Sequence, residues 1–354
     1  GYDVKLRDIN QDLVQEGYDS IKDSVERLED KEKVEDADAV LGRIDPVVEM
    51  EKAVSGADFV IEAVPERFDV KREVWTEADE LAPEHAVFGT NTSSISITEL
   101  ANVTERPESF IGMHFFNPPV IMELVEIIRG DRTSDETLET TKSLAEDFDK
   151  VPIVVRKDPP GFISNRVLMP YINEACWIVY EGEANMKQVD AIKNKLNIPM
   201  GPFELADYIG NDVSLDIMEY LQEEIGDVFE PCPMLVEKVD EGKLGNKSGE
   251  GFYDHSREIV IPAGEHGIDP TRVMCTMVNE GAKLIENGVS NAEDIDTVMK
   301  LGMAFKKGPM RYADEKGLNR FVEELNNLHK KYGHPRYEVA DHLREKAEKG
   351  ETFY

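Results

Sequence analysis

Residues 112–128 read GMHFFNPPVIMELVEII, two apolar runs separated by a pair of prolines. His114 lies in the first run and Glu126 in the second. A carboxylate among apolar residues needs a partner, because burying an unpaired charge is costly. If the two runs are strands that fold back across the proline-containing turn, the imidazole and the carboxylate can meet. The segment therefore predicts neighbouring strands that bring His114 and Glu126 together.

The His114–Glu126 pair has two interpretations that the spacing does not separate. In a catalytic pair, the carboxylate holds one ring nitrogen, fixes the tautomer and leaves the other nitrogen to take a substrate proton. In a structural pair, the two side chains only satisfy each other inside the core. Both interpretations stay open on the spacing alone.

Apolar runs on the N-terminal side of this segment alternate with helical sequence. The runs are DFVIEAVPE at 58–66, AVFGTNTSS at 86–94 and SFIGMHFF at 109–116, and an amphipathic stretch separates the first two. Strands that alternate with helices are typical of βαβ units and a parallel sheet. We therefore predict an α/β domain built of βαβ units over residues 1–157.

Asp8 follows a short apolar segment, VKL, that we predict to be a buried strand. Dinucleotide-binding folds place an acid at such a strand end to accept hydrogen bonds from the adenosine ribose, although an Asp there is more often a turn former. A glycine-rich phosphate loop is expected roughly 20 residues earlier, whereas seven residues precede Asp8. We therefore expect the domain to lack its first strand, its glycine loop and its first helix.

Two polar positions are candidate ligand contacts. Ser93, in the stretch TNTSS, follows a predicted parallel strand, at the end of the sheet where ligands gather. The neighbouring hydroxyls are better explained as helix caps, with Ser94 or Ser96 available for that role. Asn165, in PPGFISNR, opens the helical part of the chain and either presents its amide to a ligand between domains or caps a helix.

The sequence beyond residue 157 is helical and contains a repeat. Three dipeptides recur at a nearly constant spacing: Asn173-Glu174 and Asn279-Glu280, Gly201-Pro202 and Gly308-Pro309, Ala206-Asp207 and Ala313-Asp314. Two copies do not make a solenoid, so we predict two similar all-α domains, at 158–256 and 267–354, that pack on one another. The join falls within SREIVIPAGEHGIDP, residues 256–270.

The charge balance is strongly acidic. The chain has 73 Asp and Glu against 40 Lys and Arg, a net charge of −33 that is spread along its 354 residues. Such a charge argues against nucleic acid as a partner. Self-repulsion of this size is screened in concentrated salt, so we interpret the composition as adaptation to a saline cytoplasm, with an ordinary acidic protein as the alternative.

The remaining composition gives no support for a metal site, a disulfide framework or a membrane segment. Three cysteines lie far apart in the sequence, which favours a reducing cytoplasm. No window approaches the roughly 18 apolar residues of a membrane span, and the N-terminus has no signal-peptide pattern. We expect a cytoplasmic protein without a membrane partner.

Taken together, the motifs resemble those of the 3-hydroxyacyl-CoA dehydrogenase family over nearly the whole chain. The motifs that carry the resemblance are EAVPE, TNTSS, MHFFNPP followed by LVEII, PGFISNRVLMPYINEA, GPFELADYIG and GKLGNKSGEGFYDH. The resemblance implies that His114 is the catalytic base, that Glu126 orients it and that Asn117 lies beside it. It also implies that Ser93 and Asn165 bind the oxygens of the substrate.

The same resemblance implies a fold, a cofactor and a reaction. Residues 1–157 form an α/β Rossmann-type dinucleotide-binding domain. Asp8 holds the ribose of NAD, with Glu66 and Lys71 near the nicotinamide half. The implied reaction is oxidation of (S)-3-hydroxyacyl-CoA to 3-ketoacyl-CoA in fatty acid β-oxidation, or the reverse reduction. The acyl-CoA is then the partner molecule, an enoyl-CoA hydratase is fused or associated, and the second helical copy takes the place of a dimer partner.

Two other functions stay open. A family member without a phosphate loop can serve as a non-catalytic structural or assembly subunit, although the intact set of candidate residues argues against this. A related dinucleotide enzyme acting on sugars or small hydroxy acids is the third possibility, and the HFFNPP motif with the His–Glu spacing argues against it.

Overall fold

The computed structural model describes residues 1–261 and 267–354. The N-terminal part is an α/β domain. Its strands are β1 (Val4–Arg7), β2 (Ile44–Val47), β3 (Phe59–Glu62), β4 (Val87–Thr90), β5 (Phe110–Phe115), β6 (Leu124–Ile128) and β7 (Val151–Val155). Its helices are α1 (Gln11–Glu29), α2 (Ala37–Leu41), α3 (Met50–Val54), α4 (Phe68–Leu81), α5 (Ile97–Ala101) and α6 (Asp135–Asp147).

The strands form two sheets among these residues. One has the order β1-β2 and is parallel, and the other has the order β3-β4-β5-β6-β7. All neighbours in the larger sheet are parallel except β5 and β6, which run antiparallel with His114 opposite Glu126. The predicted Rossmann-like α/β domain, including the strand that folds back, is confirmed.

The first strand differs from its prediction. β1 begins at Val4, whose side chain is 46% exposed, so the strand is not buried. The reason is that β2 is its one strand neighbour in the described part of the chain, which leaves the other edge of β1 without a ladder. The absence of an earlier strand, helix and glycine loop stays a prediction.

Aromatic residues from three elements fix the sheet against its helices. Trp75 of α4, Phe88 of β4 and Phe110 of β5 are fully buried, and the Trp75 ring centroid lies 4.9 Å from each of the other two. Such ring pairs add to the stabilisation from burial alone. Beside them, Ser96 caps α5 by accepting a hydrogen bond from the amide of Glu99, so Ser96 is the capping hydroxyl of the two that were considered.

The C-terminal part is all helical apart from isolated bridges, as predicted. Its helices are α7 (Ser164–Tyr180), α8 (Met186–Asp190), α9 (Ile192–Leu196), α10 (Pro202–Ile209), α11 (Asn211–Ile225), α12 (Pro233–Asp240), α13 (Thr271–Glu286), α14 (Ala292–Met303), α15 (Pro309–Lys316), α16 (Leu318–Tyr332) and α17 (Asp341–Lys349). The predicted join at 256–270 lies partly outside the described residues, and the domain boundaries within this region stay predictions.

Helices α7 and α13 pack along each other at the centre of the helical region. Both are buried over most of their length, and each contributes an arginine to the other. Arg166 of α7 donates to Glu280 of α13 at 2.8 Å, and Arg272 of α13 donates to Glu174 of α7 at 2.6 Å. The two ion pairs are therefore reciprocal across the contact.

Helix α14 extends from this region to the α/β domain and packs on β6 and β7. At its C-terminal end the backbone approaches the sheet so closely that a Cβ at Gly302 would lie 3.0 Å from both Phe116 and Leu124. That distance is tighter than ordinary van der Waals contact. Glycine therefore permits this approach. Within residues 1–261 and 267–354, no helix has the length and apolar character needed to cross a membrane.

Candidate active site

His114 and Glu126 meet across β5 and β6. The register of the antiparallel pair places them opposite each other, and Nδ1 of His114 lies 2.8 Å from Oε2 of Glu126. Glu126 is fully buried and His114 is 9% exposed. Because the carboxylate is an acceptor, Nδ1 carries a proton, and Nε2 has no partner among the described side chains. The predicted contact is present, and the free nitrogen is positioned to accept a proton.

The buried carboxylate of Glu126 also caps helix α7. The residue before this helix, Ile163, offers no side-chain cap. Instead, Oε1 of Glu126 accepts hydrogen bonds from the amides of Ile163 at 3.1 Å and Ser164 at 3.0 Å. The hydroxyl of Ser164 donates to Oε2 at 2.7 Å. These donors, together with the positive end of the helix dipole, offset the cost of burying the charge.

Two phenylalanines pack beside the imidazole. The ring centroid of Phe116 lies 4.7 Å from that of His114, and the ring centroid of Phe162 lies 6.0 Å from it. Phe162 is fully buried and has φ of 52°, and Gly161 before it has φ of 74°. This left-handed turn directs the chain into α7 and brings the amides of that helix to Glu126. The walls around the His–Glu pair are therefore largely apolar.

Ser93 lies in a loop that is held by Glu66. Oε1 of Glu66 accepts hydrogen bonds from Thr92 Oγ1 at 2.6 Å and from the amides of Ser93 and Ser94 at 2.8 and 3.1 Å. Burial alone would raise the pKa of Glu66, but these hydrogen bonds and the nearby ammonium of Lys71 outweigh it and lower the pKa below its usual value. Glu66 is therefore an anion that orders the loop after β4.

Asn165 connects the helical region to that loop. Its Nδ2 donates to the backbone carbonyl of Ser93 at 3.0 Å, although the two residues are 72 positions apart in sequence. Asn165 is the second residue of α7, directly after Ser164. The two residues that the resemblance assigns to substrate oxygens therefore lie side by side across the domain boundary.

Lys71 is fully buried on α4. Its ammonium donates to Glu62 Oε1 at 2.7 Å and to the backbone carbonyl of Asn91 at 2.9 Å. The side chain of Asn91 in turn accepts a hydrogen bond from the amide of Phe115 at 3.1 Å. Lys71 thus holds the ends of β3, β4 and β5 together, and its assignment to NAD stays a prediction.

Asp8 and Asn117 lie where the sequence places them but make no contact with His114. Asp8 directly follows β1, and its Oδ1 accepts a hydrogen bond from the amide of Ile9 at 2.6 Å while Oδ2 has no partner in the part of the chain that the structure describes. Asn117 is exposed on the loop after β5. Their assigned roles stay predictions.

Three residues of this site were not singled out from the sequence: Glu62, Asn91 and Ser164. Glu62 ends the apolar run DFVIE, so the argument that a charge among apolar residues needs a partner applied to it as it did to Glu126. No sequence pattern distinguishes Asn91 and Ser164 from the polar residues beside them. Their roles depend on contacts between distant segments.

The carboxyl ends of the parallel strands fit a dinucleotide in part. Asp8 has a free carboxylate oxygen at the end of β1, and the loops after β3 and β4 carry Glu66 and Ser93. Ligands of open parallel sheets bind at this end. These residues suit the ribose and nicotinamide ends, whereas the sequence contains no G-x-G-x-x-G turn that would hold the pyrophosphate.

Comparison with known families gives two matches. The model of the 3-hydroxyacyl-CoA dehydrogenase NAD-binding domain matches residues 1–159. The model of the C-terminal domain of the same family matches residues 161–255 and 270–353. The resemblance drawn from the sequence motifs is therefore confirmed.

Individual relatives agree with this. A probable 3-hydroxybutyryl-CoA dehydrogenase of Bacillus subtilis is 44% identical over 262 residues, which cover 73% of this chain and 91% of that protein. A fatty acid oxidation complex subunit alpha of Vibrio parahaemolyticus is 35% identical over 341 residues, which cover 89% of this chain and 48% of that protein.

A solved structure covers almost the entire chain. The crystal structure of a 3-hydroxybutyryl-CoA dehydrogenase from Escherichia coli K12 superposes with a TM-score of 0.92 at 27% identity, over 98% of this chain and 93% of its own. The matches to both domain models and this likeness in fold show that the chain belongs to the 3-hydroxyacyl-CoA dehydrogenase family and is an NAD-dependent enzyme of that family.

Proposed function

We propose that this enzyme oxidises (S)-3-hydroxyacyl-CoA to 3-ketoacyl-CoA, or runs the reverse reduction, with His114 as the general base. The observation that carries the proposal is the contact between His114 Nδ1 and the buried carboxylate of Glu126 at 2.8 Å. This contact fixes the tautomer in which Nε2 is the basic nitrogen. The apolar rings of Phe116 and Phe162 beside the imidazole suit proton transfer coupled to hydride transfer.

NAD supplies the hydride acceptor in this reaction. His114 Nε2 takes the proton of the substrate hydroxyl as C3 loses its hydride. The imidazolium that forms is stabilised by the carboxylate of Glu126, which needs no rearrangement because the amides at the start of α7 hold it. In the reverse direction, the same imidazolium returns the proton to the keto oxygen.

Ser93 and Asn165 are proposed to hold the substrate oxygens. Their support is the hydrogen bond between Asn165 Nδ2 and the carbonyl of Ser93, which brings a loop of the α/β domain and the start of α7 to one place. The hydroxyl of Ser93 is 3.2 Å from Glu66 Oε1, so it is positioned within the same network. Asn117, three residues after His114, is proposed to lie beside the histidine in the substrate-binding region.

The cofactor assignments are proposed on the same basis. Asp8 would accept hydrogen bonds from the adenosine ribose through its free oxygen. Glu66, at the end of the β3 loop, would lie near the nicotinamide half, and Lys71 would act there through Asn91 and Glu62 rather than by contact. We place the enzyme in the cytoplasm, as its three free, buried cysteines favour.

A short acyl chain is the proposed substrate class. Relatives that match most of their length to this chain are named 3-hydroxybutyryl-CoA dehydrogenases. The longer relatives are named as subunits of a fatty acid oxidation complex, which supports a role in β-oxidation beside an enoyl-CoA hydratase. Rates with acetoacetyl-CoA and longer 3-ketoacyl-CoA substrates measure this preference directly.

The second helical segment is proposed to replace a dimer partner. The reciprocal ion pairs Arg166–Glu280 and Arg272–Glu174 join equivalent positions of the repeat, as an isologous interface between two chains would. Asn173 and Asn279 are also equivalent positions of the repeat. Each donates a hydrogen bond from its side-chain amide to a backbone carbonyl in the loop before the last helix of its own copy.

The decisive experiment is reduction of acetoacetyl-CoA by NADH, followed by the loss of NADH absorbance. Turnover that requires His114 supports the dehydrogenase. A protein that binds neither substrate nor cofactor would instead be the structural subunit considered as an alternative, and turnover with small hydroxy acids but not acyl-CoA would indicate the third function.

A further inference from the structure

Ser164 contacts Glu126 at the carboxylate oxygen that also contacts His114. Its hydroxyl donates to Oε2 of Glu126 at 2.7 Å, and Oε2 is the same oxygen that lies 2.8 Å from His114 Nδ1. The other oxygen, Oε1, is occupied by two backbone amides. One carboxylate oxygen therefore serves two donors, one from the imidazole and one from the serine.

We propose that Ser164 is a positioning residue that sets the basicity of His114 by sharing Oε2 of Glu126. The proposal rests on the proposed role of His114 as the base. A hydrogen bond to a charged acceptor withdraws charge density from it. With the serine hydroxyl in place, Oε2 holds the imidazolium less strongly than it would without that donor.

The burial of Ser164 and Glu126 strengthens the effect of their hydrogen bond. Ser164 and Glu126 are both fully buried, so no bulk water replaces the hydroxyl as a donor. Hydrogen bonds of charged groups are strongest in such a low-dielectric place. The serine also lies in the first turn of α7, whose amides fix the orientation of the carboxylate.

The charged side chains near His114 come from β3, β6 and α4. Glu126 is the charged side chain in contact with the imidazole from β6. From β3 and α4, the pair Glu62 and Lys71 reaches the backbone of β5 through Asn91. Phe116 and Phe162 line the ring from the other elements and carry no charge. A substitution at Ser164 changes none of these.

Ser164→Ala is the test, with Ser290→Ala as the matched control. Ser290 is likewise buried, but its hydroxyl has no partner among residues 1–261 and 267–354. Each variant is labelled with ¹⁵N at histidine, and the resonance of His114 is assigned by its loss in His114→Gln. Its titration is followed by NMR without cofactor or substrate, so the result does not depend on turnover.

In Ser164→Ala we expect the midpoint for His114 to rise, by up to about one pH unit. The acid limb of kcat/KM should move the same way, which lowers activity about tenfold at a pH below both midpoints. Ser290→Ala should leave the midpoint in place. Glu126→Gln should move it in the opposite direction, because the anion that supports the imidazolium is lost.

An unchanged or lowered midpoint in Ser164→Ala would overturn the proposal, even if activity falls, because loss of packing alone does not move a titration. If the midpoint rises while His114→Gln keeps full turnover, the link between Ser164 and His114 stands and the general-base role fails. The two hypotheses are thus separated by one pair of measurements.

Discussion

Asn165 donates its side-chain amide to the backbone carbonyl of Ser93 at 3.0 Å, and this hydrogen bond joins the helical region to the loop that follows β4. Glu66 holds the same loop from the other side through the amide of Ser93 at 2.8 Å. The loop is therefore restrained by one residue from each domain. Its geometry depends on both.

Glu66→Gln is expected to loosen this loop and to raise KM for acyl-CoA and NAD several-fold, because the neutral amide accepts hydrogen bonds less strongly than the anion. The pKa of Glu66 is lowered on folding from 4.5. Its stabilisation is therefore present above that pH and is lost as the pH falls below it. In thermal melts the variant should be less stable than wild type at neutral pH, and the gap should narrow in acid. Glu77→Gln, an exposed acid on α4, should give no gap at any pH.

His114→Gln should lower kcat by on the order of 10² to 10⁴, the usual contribution of a general base. NADH affinity should change little, since the substitution leaves the cofactor residues in place. Glu126→Gln should lower kcat in the same direction. His85→Gln is the control, because His85 is exposed and contacts Asp58 at the surface. Near-normal turnover of His114→Gln at saturating acetoacetyl-CoA would contradict the assignment.

Asp8 should make the enzyme prefer NAD over NADP, because in its proposed role the carboxylate takes the place that a 2′-phosphate would need. Asp8→Ala is expected to reduce the ratio of kcat/KM for NAD to that for NADP. The ratio should stay the same in Asp12→Ala, which removes an acid from the exposed first turn of α1. Equal values for the two cofactors in the wild-type enzyme would remove Asp8 from this role.

Stability and activity should rise with KCl into the molar range. The net charge of −33 repels itself in dilute buffer, and salt screens that repulsion as the Debye length falls from about 10 Å at 0.1 M to about 3 Å at 1 M. Screening also eases the approach of the anionic acyl-CoA. Melting temperatures that do not increase between dilute buffer and molar KCl would argue for an ordinary acidic protein.

Arg272→Met should destabilise the protein by about 3 to 5 kcal/mol, because it leaves the buried carboxylate of Glu174 with a weaker set of partners. Arg272 is the central cation of the contact between α7 and α13 and also donates to Glu181 at 2.7 Å. Arg257→Met, which breaks an exposed pair with Asp254, should cost less than about 1 kcal/mol. Urea denaturation of both variants compares the two losses of stability. Equal denaturation midpoints for the two variants would show that the buried Arg272–Glu174 pair stabilises the protein no more than the exposed Arg257–Asp254 pair does.

The sequence could predict those features that depend on residues within one short segment. The βαβ rhythm appears as alternating apolar and amphipathic runs, and His114 and Glu126 are 12 positions apart on either side of a proline turn. The contacts between distant segments that hold the site residues in place could not be predicted in this way. Glu126 caps α7 from 37 positions away, and Arg272 reaches Glu174 across 98 positions, so neither contact leaves a periodic signal. The exposure of β1 depends likewise on which strands lie beside it.

The close approach of Gly302 to Phe116 has a consequence for how the enzyme is made. Phe116 packs against the ring of His114, yet the surface behind it comes from α14, much later in the chain. Because a chain leaves the ribosome from its N-terminus and domains fold as they emerge, the α/β domain acquires its sheet well before α14 is synthesised. The proposed active site is then completed late in translation, and a nascent chain that already contains every proposed catalytic residue still lacks one of the walls of that site.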